Sequence, residues 1–370
     1  MDRLLSVLED VETPLRLLGL ALFAFLFVRA LSTAERPPVR PARWLLARVS
    51  LAAALLLFLV ATLNYLVNPL GIYATRLVEP LVLHSRAEKM RLYRVAQPPP
   101  EIVVLGSSSS FTMSPVYIRE RTGRPAFNAS LHGGVPEDYL AFLRYMASLD
   151  KVPKLLIVPM SVELVRPNLP TGFEPHNPLE PYLERESRDL LEGARRLLTL
   201  EQTRASLRLL AAERKGRPPS HYLFDADGWA HFAESSAPLE KIVDAYMATK
   251  EWGPGLFGFR DLDDAQMSSF RQFLTLARRL DVKVIVYVPP LYPRALAFYE
   301  RETNLPALRS QLVGYLRARQ ADGLIAAVHD FTRVESFGGN ASEFHDLAHP
   351  TAAASRRMLD LMLQPLPAGS

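Results

Sequence analysis

The chain begins with two long apolar runs and continues with short apolar runs that alternate with amphipathic segments. Residues 49–67, VSLAAALLLFLVATLNYLV, contain no charge and approach the ~20 residues that a helix needs to cross a bilayer. They predict a transmembrane helix. Residues 14–32 are apolar too, but a span there requires Arg16 and Arg29 to reach toward the two membrane interfaces. We predict a second transmembrane helix at this place.

The linker between the two apolar runs carries the charge that orients them. Residues 33–48 hold four arginines against one acidic residue, Glu35. The positive-inside rule keeps such a linker in the cytoplasm, so residues 1–13 and the chain after residue 67 are predicted to lie outside it. A cleaved signal peptide is the alternative for the first run. Acidic residues precede that run, however, where a signal peptide is positively charged.

From residue 101 the pattern predicts an α/β domain that extends to residue 370, joined to the second helix by a connecting segment at residues 68–100. Buried strands are predicted at residues 101–106, 125–130, 154–160, 282–290 and 324–331. Amphipathic helices are predicted at residues 115–123, 136–150 and 261–280 and from residue 350. Strands that alternate with helices indicate a parallel, doubly wound sheet, in which ligands bind beyond the carboxyl ends of the strands.

Residues 162–254 do not follow this alternation and are interpreted as an inserted helical region. They include a proline-rich segment, two very basic predicted helices around residues 195–217, and the aromatic stretch HYLFDADGWAHF. A segment of this length over a sheet edge suggests a lid that faces the substrate, which is a hypothesis. The basic helices fit a solvated surface better than a binding surface.

Composition limits the chemistry that the chain can perform. The chain has no cysteine, which excludes disulfides, thiolate metal sites and a cysteine nucleophile. Its 43 basic and 39 acidic residues give a formal charge of +4, too close to balance to indicate a nucleic-acid partner. His329 and His345 have no neighbours at the spacing of metal ligands. We therefore predict no metal, no cofactor and no nucleic acid.

Three predicted loops carry groups suited to nucleophilic catalysis. Ser108 follows the first strand in GSSSS, where its hydroxyl would be exposed at the sheet edge near a helix N-terminus. Asp346 and His349 are three residues apart in FHDLAHP, so the carboxylate can accept from imidazole Nδ1 and leave Nε2 for a serine proton. Gly133, after the second strand in NASLHGG, can present a backbone N–H to an oxyanion. Each motif alone also fits an ordinary turn.

The order GSS, then N-x-x-x-x-G, then a C-terminal D-x-x-H on alternating strands and helices resembles the SGNH hydrolase superfamily. The likeness covers residues 101–370 apart from the insertion, and it implies a flavodoxin-like sheet. It also implies Ser108 as nucleophile, with Asp346 and His349 as its base pair. The backbone N–H groups of Ser108 and Gly133 are the implied oxyanion donors.

The chain departs from the family pattern in two places. Ser107 stands where the family has the aspartate of its G-D-S block. The third strand ends in PMSVE, whereas the family usually has an asparagine there that donates to the oxyanion. Either two donors suffice or Ser161 supplies a third. Losing one oxyanion donor typically costs ~10²–10³ in rate, so this position bears on how fast such a site is.

The apolar runs, the GSS block and the missing asparagine together resemble membrane-anchored SGNH-like proteins of envelope polysaccharide or teichoic-acid O-acylation. This resemblance implies a bacterial inner-membrane protein with its α/β domain on the periplasmic side. It also implies an integral-membrane O-acyltransferase as partner and an envelope polysaccharide or other glycan as acceptor. The expected reaction moves or hydrolyses an acyl group, with acetyl favoured, through an acyl-serine. The alternative is an inactive glycan-binding or scaffold partner of a membrane O-acyltransferase.

Other polar residues near predicted strand ends compete for roles in this site. Asp330 ends the fifth strand and is a rival carboxylate for His349, ranked below Asp346 because Asp346 is closer in sequence. Tyr292 and Arg294 follow the fourth strand and are candidates to line the pocket, although ordinary loop residues would look the same.

Overall fold

The structure is a computed structural model that describes residues 42–69, 85–166, 178–183, 197–216, 224–230, 237–249 and 260–364. The predicted segments at residues 1–13 and 14–32 lie outside these ranges. The chain divides into two compact units. The first comprises Met1–His84 and Glu186–His221, and the second comprises Ser85–Arg185 and Tyr222–Ser370.

The described residues contain ten α-helices and five β-strands. The helices are α1 (Ala42–Val67), α2 (Ser85–Val95), α3 (Pro115–Thr122), α4 (Pro136–Ser148), α5 (Leu200–Arg214), α6 (Leu239–Thr249), α7 (Asp264–Arg279), α8 (Pro293–Glu302), α9 (Leu305–Ala321) and α10 (Ala352–Met362). The strands are β1 (Ile102–Val104), β2 (Ala126–Asn128), β3 (Leu155–Pro159), β4 (Lys283–Val288) and β5 (Ala327–Asp330). Short 3₁₀ turns occur at Ser108–Ser110, Val162–Val165, Glu180–Tyr182 and Val334–Phe337.

The first unit contains the candidate membrane helix. Leu46–Val67, within α1, is 22 residues long and has a mean hydropathy of 2.3, so it is long and apolar enough to cross a membrane. Two such helices are predicted, and this is the one found among the described residues; residues 14–32 lie outside that part of the chain. Length and composition fit either a membrane anchor or a signal sequence.

A polar cluster joins α1 to α5 within the first unit. The Asn64 side-chain amide donates to the Leu197 carbonyl oxygen at 2.7 Å and to Thr203 Oγ1 at 2.9 Å. The Asn64 side-chain oxygen accepts from Ser206 Oγ at 2.7 Å. The very basic region predicted around residues 195–217 therefore contains a helix whose polar face is bonded to the end of α1.

The second unit is built on a five-stranded parallel sheet in the order β2-β1-β3-β4-β5. The five predicted strands are confirmed, each shorter than its apolar run, and the order is that of flavodoxin-like sheets. The helices predicted after the first, second and third strands and near the C-terminus are confirmed as α3, α4, α7 and α10. The pattern does not predict α8 and α9, although a parallel connection between β4 and β5 needs such a crossover.

Helices cover the sheet on both faces, which explains why the strands are continuous apolar runs. The connection from β1 to β2 runs in one direction across the sheet, and the later connections run in the other. With right-handed crossovers, α3 then lies on the face opposite to α4, α7 and α9. Val103 and Ile157 are fully buried between these layers, and the Tyr139 ring of α4 meets the Phe273 ring of α7 edge-on at 6.2 Å.

The reversal of direction at β1 locates the crevice where such sheets bind ligands. It opens beyond the carboxyl ends of β1 and β3, whose loops leave in opposite directions. Gly106 lies at this point, and a Cβ added to it would lie 2.5 Å from Pro159 Cδ and 2.6 Å from Ser110 Oγ. The backbone after β1 can therefore approach β3 this closely only without a side chain.

The replacement Gly106→Ala is expected to destabilise the protein by ~1–3 kcal/mol, because the added methyl group has no room. Gly314→Ala is the matched control. Gly314 lies in α9 with nothing within 4 Å of an added Cβ, so alanine should stabilise that helix by ~0.5–1 kcal/mol. Chemical denaturation of both variants measures the difference. An unchanged stability of Gly106→Ala would contradict the close approach.

Candidate active site

Ser108 lies in a tight turn beyond the end of β1. The turn runs into the 3₁₀ segment Ser108–Ser110, and side chains from β2 and β4 hold it. The side-chain amide of Asn128, at the end of β2, donates to the Ser110 carbonyl oxygen at 2.9 Å. The Ser110 hydroxyl lies 2.8 Å from the hydroxyl of Tyr287 on β4. These bonds hold the backbone that carries the Ser108 side chain.

Asp346 and His349 lie in the loop between β5 and α10. One carboxylate oxygen of Asp346 accepts the backbone N–H groups of Ala348 at 2.8 Å and His349 at 2.9 Å. The backbone N–H of Tyr292 donates to the Leu347 carbonyl oxygen at 2.8 Å, which ties this loop to the chain after β4. Two contacts therefore hold the loop: the Asp346 side chain binds the loop's own backbone, and the Tyr292 N–H after β4 binds the Leu347 carbonyl oxygen.

The fold brings Ser108, Asp346 and His349 into one hydrogen-bonded chain. His349 Nδ1 lies 2.7 Å from Asp346 Oδ2, and His349 Nε2 lies 2.8 Å from Ser108 Oγ. The serine and the histidine are 241 residues apart in the sequence. The His349 side chain is 21% exposed, so a solute can approach it from solvent.

The Asp346 carboxylate selects the tautomer of the neutral His349 ring. Burial opposes ionisation of Asp346, but its hydrogen bonds to the ring and to two backbone N–H groups outweigh burial and lower the pKa of the carboxyl below its ordinary value. A carboxylate can only accept, so His349 Nδ1 carries a proton and Nε2 accepts from the Ser108 hydroxyl. This is the arrangement that a serine nucleophile needs.

The loop after β2 places Gly133 next to residues that contact the serine turn. The backbone N–H of Leu131 donates to the Gly106 carbonyl oxygen at 2.8 Å, and a Cβ on Gly134 would lie 2.5 Å from the same oxygen. Gly133 has a φ of 59°, in the left-handed region that favours glycine. Within the described residues, the N–H groups of Ser108 and Gly133 have no hydrogen-bond acceptor. Both are available as donors.

The Ser161 hydroxyl interacts with a nearby carboxylate. Ser161 follows β3, and its side chain acts to lower the pKa of Glu163. Burial raises the pKa of Glu163, and the effect of Ser161 offsets part of that rise. A hydroxyl has one proton to donate, so the interaction with Glu163 competes with donation to an oxyanion.

The other candidate residues have different partners. Asp330 accepts from Arg309 Nη2 at 2.8 Å, so the carboxylate bound to His349 is Asp346. Tyr292 and Arg294 both hydrogen-bond Glu240 of α6. Among the described residues, no group of three or more histidines and carboxylates is arranged to hold a metal ion.

Two buried basic residues of α2 lie next to the site loops, although no role is predicted for residues 68–100. Arg86 forms an ion pair with Asp138 of α4, and Lys89 Nζ donates to the Asn128 carbonyl oxygen at 2.7 Å. The sequence of α2, SRAEKMRLYRV, has the charge density of a solvated helix. Nothing in that pattern distinguishes a buried cation from an exposed one.

The lowered pKa of Asp346 predicts how the site responds to acid. Because the folded-state pKa lies below the unfolded value of ~3.9, ionised Asp346 stabilises the fold above that pH, and this contribution is lost as the pH falls through the folded-state value. The stability difference between wild type and Asp346→Asn should therefore be largest at neutral pH and shrink below about pH 4. Urea unfolding of both proteins at a series of pH values measures it. Ser108→Ala, which removes no carboxylate, is the control, and equal shrinkage in both variants would contradict this origin.

Comparisons with known proteins show a distant structural similarity. No protein-family model matches the sequence, and no curated protein sequence matches it. Among solved structures, the chain is similar to a protein of Bacteroides fragilis described as a "putative acylhydrolase", with a TM-score of 0.36 and 12% sequence identity. The similarity covers 75% of this chain and 90% of that chain. A likeness of this degree does not determine function.

Proposed function

We propose that the chain is a serine-dependent O-acyltransferase or esterase. The observation that carries the proposal is the hydrogen-bonded chain from Asp346 through His349 to Ser108, with distances of 2.7 and 2.8 Å. A serine hydroxyl is a weak nucleophile until a base removes its proton, and a histidine oriented by a carboxylate is the common base for that task. These three hydrogen-bonded residues lie beyond the carboxyl ends of a parallel sheet, where such folds bind ligands.

In the proposed reaction, His349 Nε2 takes the proton of Ser108 while Ser108 Oγ attacks the acyl carbonyl carbon. The oxyanion that forms accepts from the backbone N–H groups of Ser108 and Gly133. Collapse of this intermediate breaks the bond to the leaving alkoxide, which takes the proton from His349. A sugar hydroxyl or water then gives its proton to His349 and attacks the acyl-serine. The acyl group leaves with that oxygen, and Ser108 regains its proton from His349.

Asp346 stays ionised through both steps and stabilises the imidazolium that forms when His349 accepts a proton. The proposed oxyanion hole has two backbone donors, the N–H groups of Ser108 and Gly133. A hole with one donor fewer is expected to be slower by ~10²–10³ than the usual three-donor site of the family that the sequence resembles.

We further propose that α1 anchors the protein in the bacterial inner membrane, with the α/β unit on the periplasmic side. The apolar stretch Leu46–Val67 supports the anchor, and the arginine-rich linker before it supports the orientation. The resemblance to SGNH-like proteins of O-acylation supports an acyl group, with acetyl favoured, on an envelope polysaccharide as the substrate. It also supports an integral-membrane O-acyltransferase as the partner.

An inactive glycan-binding or scaffold protein is the second candidate. The absence of an asparagine after β3 favours it, because that absence leaves fewer donors for an oxyanion. The complete hydrogen-bonded chain of serine, histidine and aspartate weighs against it. The two candidates predict opposite results with a serine-reactive probe.

Ser108→Ala is expected to abolish labelling by a fluorophosphonate probe and to slow hydrolysis of p-nitrophenyl acetate by ~10⁴-fold or more, because the variant has no nucleophile. Ser109→Ala is the matched control, since Ser109 lies in the same turn and its hydroxyl bonds Ser107. It should label as wild type does. Gel fluorescence and absorbance measure the two effects. Wild type that does not label, or Ser108→Ala that labels fully, would refute the proposed chemistry.

Ser161→Ala tests the composition of the oxyanion hole. Removal of a true oxyanion donor would cost ~10²–10³ in kcat, whereas we expect this variant to stay within about tenfold of wild type. The reason is that the Glu163 carboxylate, whose pKa the Ser161 hydroxyl acts to lower, competes with an oxyanion for that hydroxyl. Steady-state hydrolysis of p-nitrophenyl acetate measures kcat. A loss of a hundredfold would instead place Ser161 among the donors.

A further inference from the structure

We infer that Arg86 and Asp138 are positioning residues for the oxyanion loop, defined here as residues 131–135. The inference rests on the proposed function, because this loop carries Gly133. The side chains of Arg86 and Asp138 are only 2% and 1% exposed, so they act on the loop and not on a substrate.

Arg86 binds Asp138 through two parallel hydrogen bonds. Arg86 Nε lies 2.9 Å from Asp138 Oδ1, and Nη2 lies 2.5 Å from Oδ2. A third donor, Nη1, reaches the His132 carbonyl oxygen at 3.2 Å. A guanidinium presents its donors in one rigid plane, so the carboxylate and the carbonyl bound to it are held in a fixed relative position.

Asp138 and Ser85 bind two further backbone groups of the oxyanion loop. Asp138 Oδ2 accepts the N–H of Val135 at 3.1 Å, and Ser85 Oγ accepts the N–H of His132 at 2.9 Å. Side chains of α2 and α4 therefore bind the loop backbone on both sides of Gly133. The backbone N–H of Gly133 has no hydrogen-bond acceptor within the described part of the chain.

The two glycines of the oxyanion loop make such bonds necessary. Glycine adopts both left-handed and right-handed backbone conformations. Without side-chain bonds to its backbone, a loop that contains Gly133 and Gly134 could therefore adopt many conformations. An oxyanion donor is effective only when it is held ~2.7–3.1 Å from the point where the charge develops. The bonds at His132 and Val135 remove that freedom at both ends of the glycine pair.

Stability alone is a poor explanation for this buried ion pair. The free energy needed to desolvate two charges is about as large as the free energy gained from their attraction. A protein with an apolar pair of similar size in their place is often at least as stable. Removing one partner is different, because the other charge then stays buried without compensation. A double apolar replacement therefore separates the stability of the fold from the position of the loop.

The test compares Arg86→Met, Asp138→Leu and the double variant in the full-length protein. Each single variant should melt lower than wild type, and the double variant should melt higher than either single variant, because it leaves no buried charge unpaired. In the double variant, kcat for p-nitrophenyl acetate should fall ~10²-fold with little change in KM, because the loop has lost its bonds although the fold is kept. The pH profile of kcat should keep its shape, since Ser108, His349 and Asp346 are unchanged.

Amide hydrogen exchange adds a measurement that does not depend on catalysis. Peptides that cover residues 129–136 should exchange roughly tenfold faster in the double variant, while other peptides exchange as in wild type. The control is the double variant Glu101→Gln and Lys154→Gln, which removes an exposed ion pair before β1 and β3. It should leave both kcat and exchange unchanged.

A folded double variant with wild-type kcat or unchanged exchange would overturn the inference and leave the proposed function intact. Wild-type protein that neither hydrolyses the ester nor labels with fluorophosphonate would overturn both. If the double variant does not fold, Ser85→Ala replaces it, because it removes one bond to His132 and no charge. Lower kcat and faster exchange of residues 129–136 would then support the inference, and wild-type values would overturn it.

Discussion

A parallel sheet places the carboxyl ends of all its strands at one edge, and the candidate site depends on this constraint. Ser108 follows β1 and His349 follows β5, yet their side chains meet at 2.8 Å. Two strands, β3 and β4, separate β1 from β5 in the sheet. The loop that carries His349 therefore has to reach across their ends, and the bond from the Tyr292 N–H to this loop supports it beside β4.

Buried polar side chains fix the loops that the sheet brings together. Asn128 and Tyr287 hold the turn that carries Ser108, and Arg86 with Asp138 holds the loop that carries Gly133. In a low-dielectric interior such hydrogen bonds are strong, and a buried polar group that loses its partner destabilises the protein. Each network therefore favours one conformation of its loop. The apolar core builds the sheet, whereas these polar contacts set the geometry at its edge.

Secondary-structure elements and contacts that depend only on residues close in sequence could be predicted from the amino-acid sequence. The five strands follow from local runs of apolar residues, and the candidate membrane helix follows from a charge-free stretch of sufficient length. The pairing of Asp346 with His349 is local as well, because three residues of spacing form one turn. Ser108 was predicted from the place of its loop after a strand and from its GSS block, which with the later motifs resembles the SGNH pattern.

Burial and hydrogen-bond partners that involve residues far apart in the sequence could be read only from the folded chain. Arg86 and Asp138 are 52 residues apart, and no local pattern shows that α2 buries its charges against α4. The ion pair between Asp330 and Arg309 also became visible only in the folded chain. The physical reason is that burial and hydrogen-bond partners are set by packing, whereas sequence periodicity reports only which face of an element is apolar.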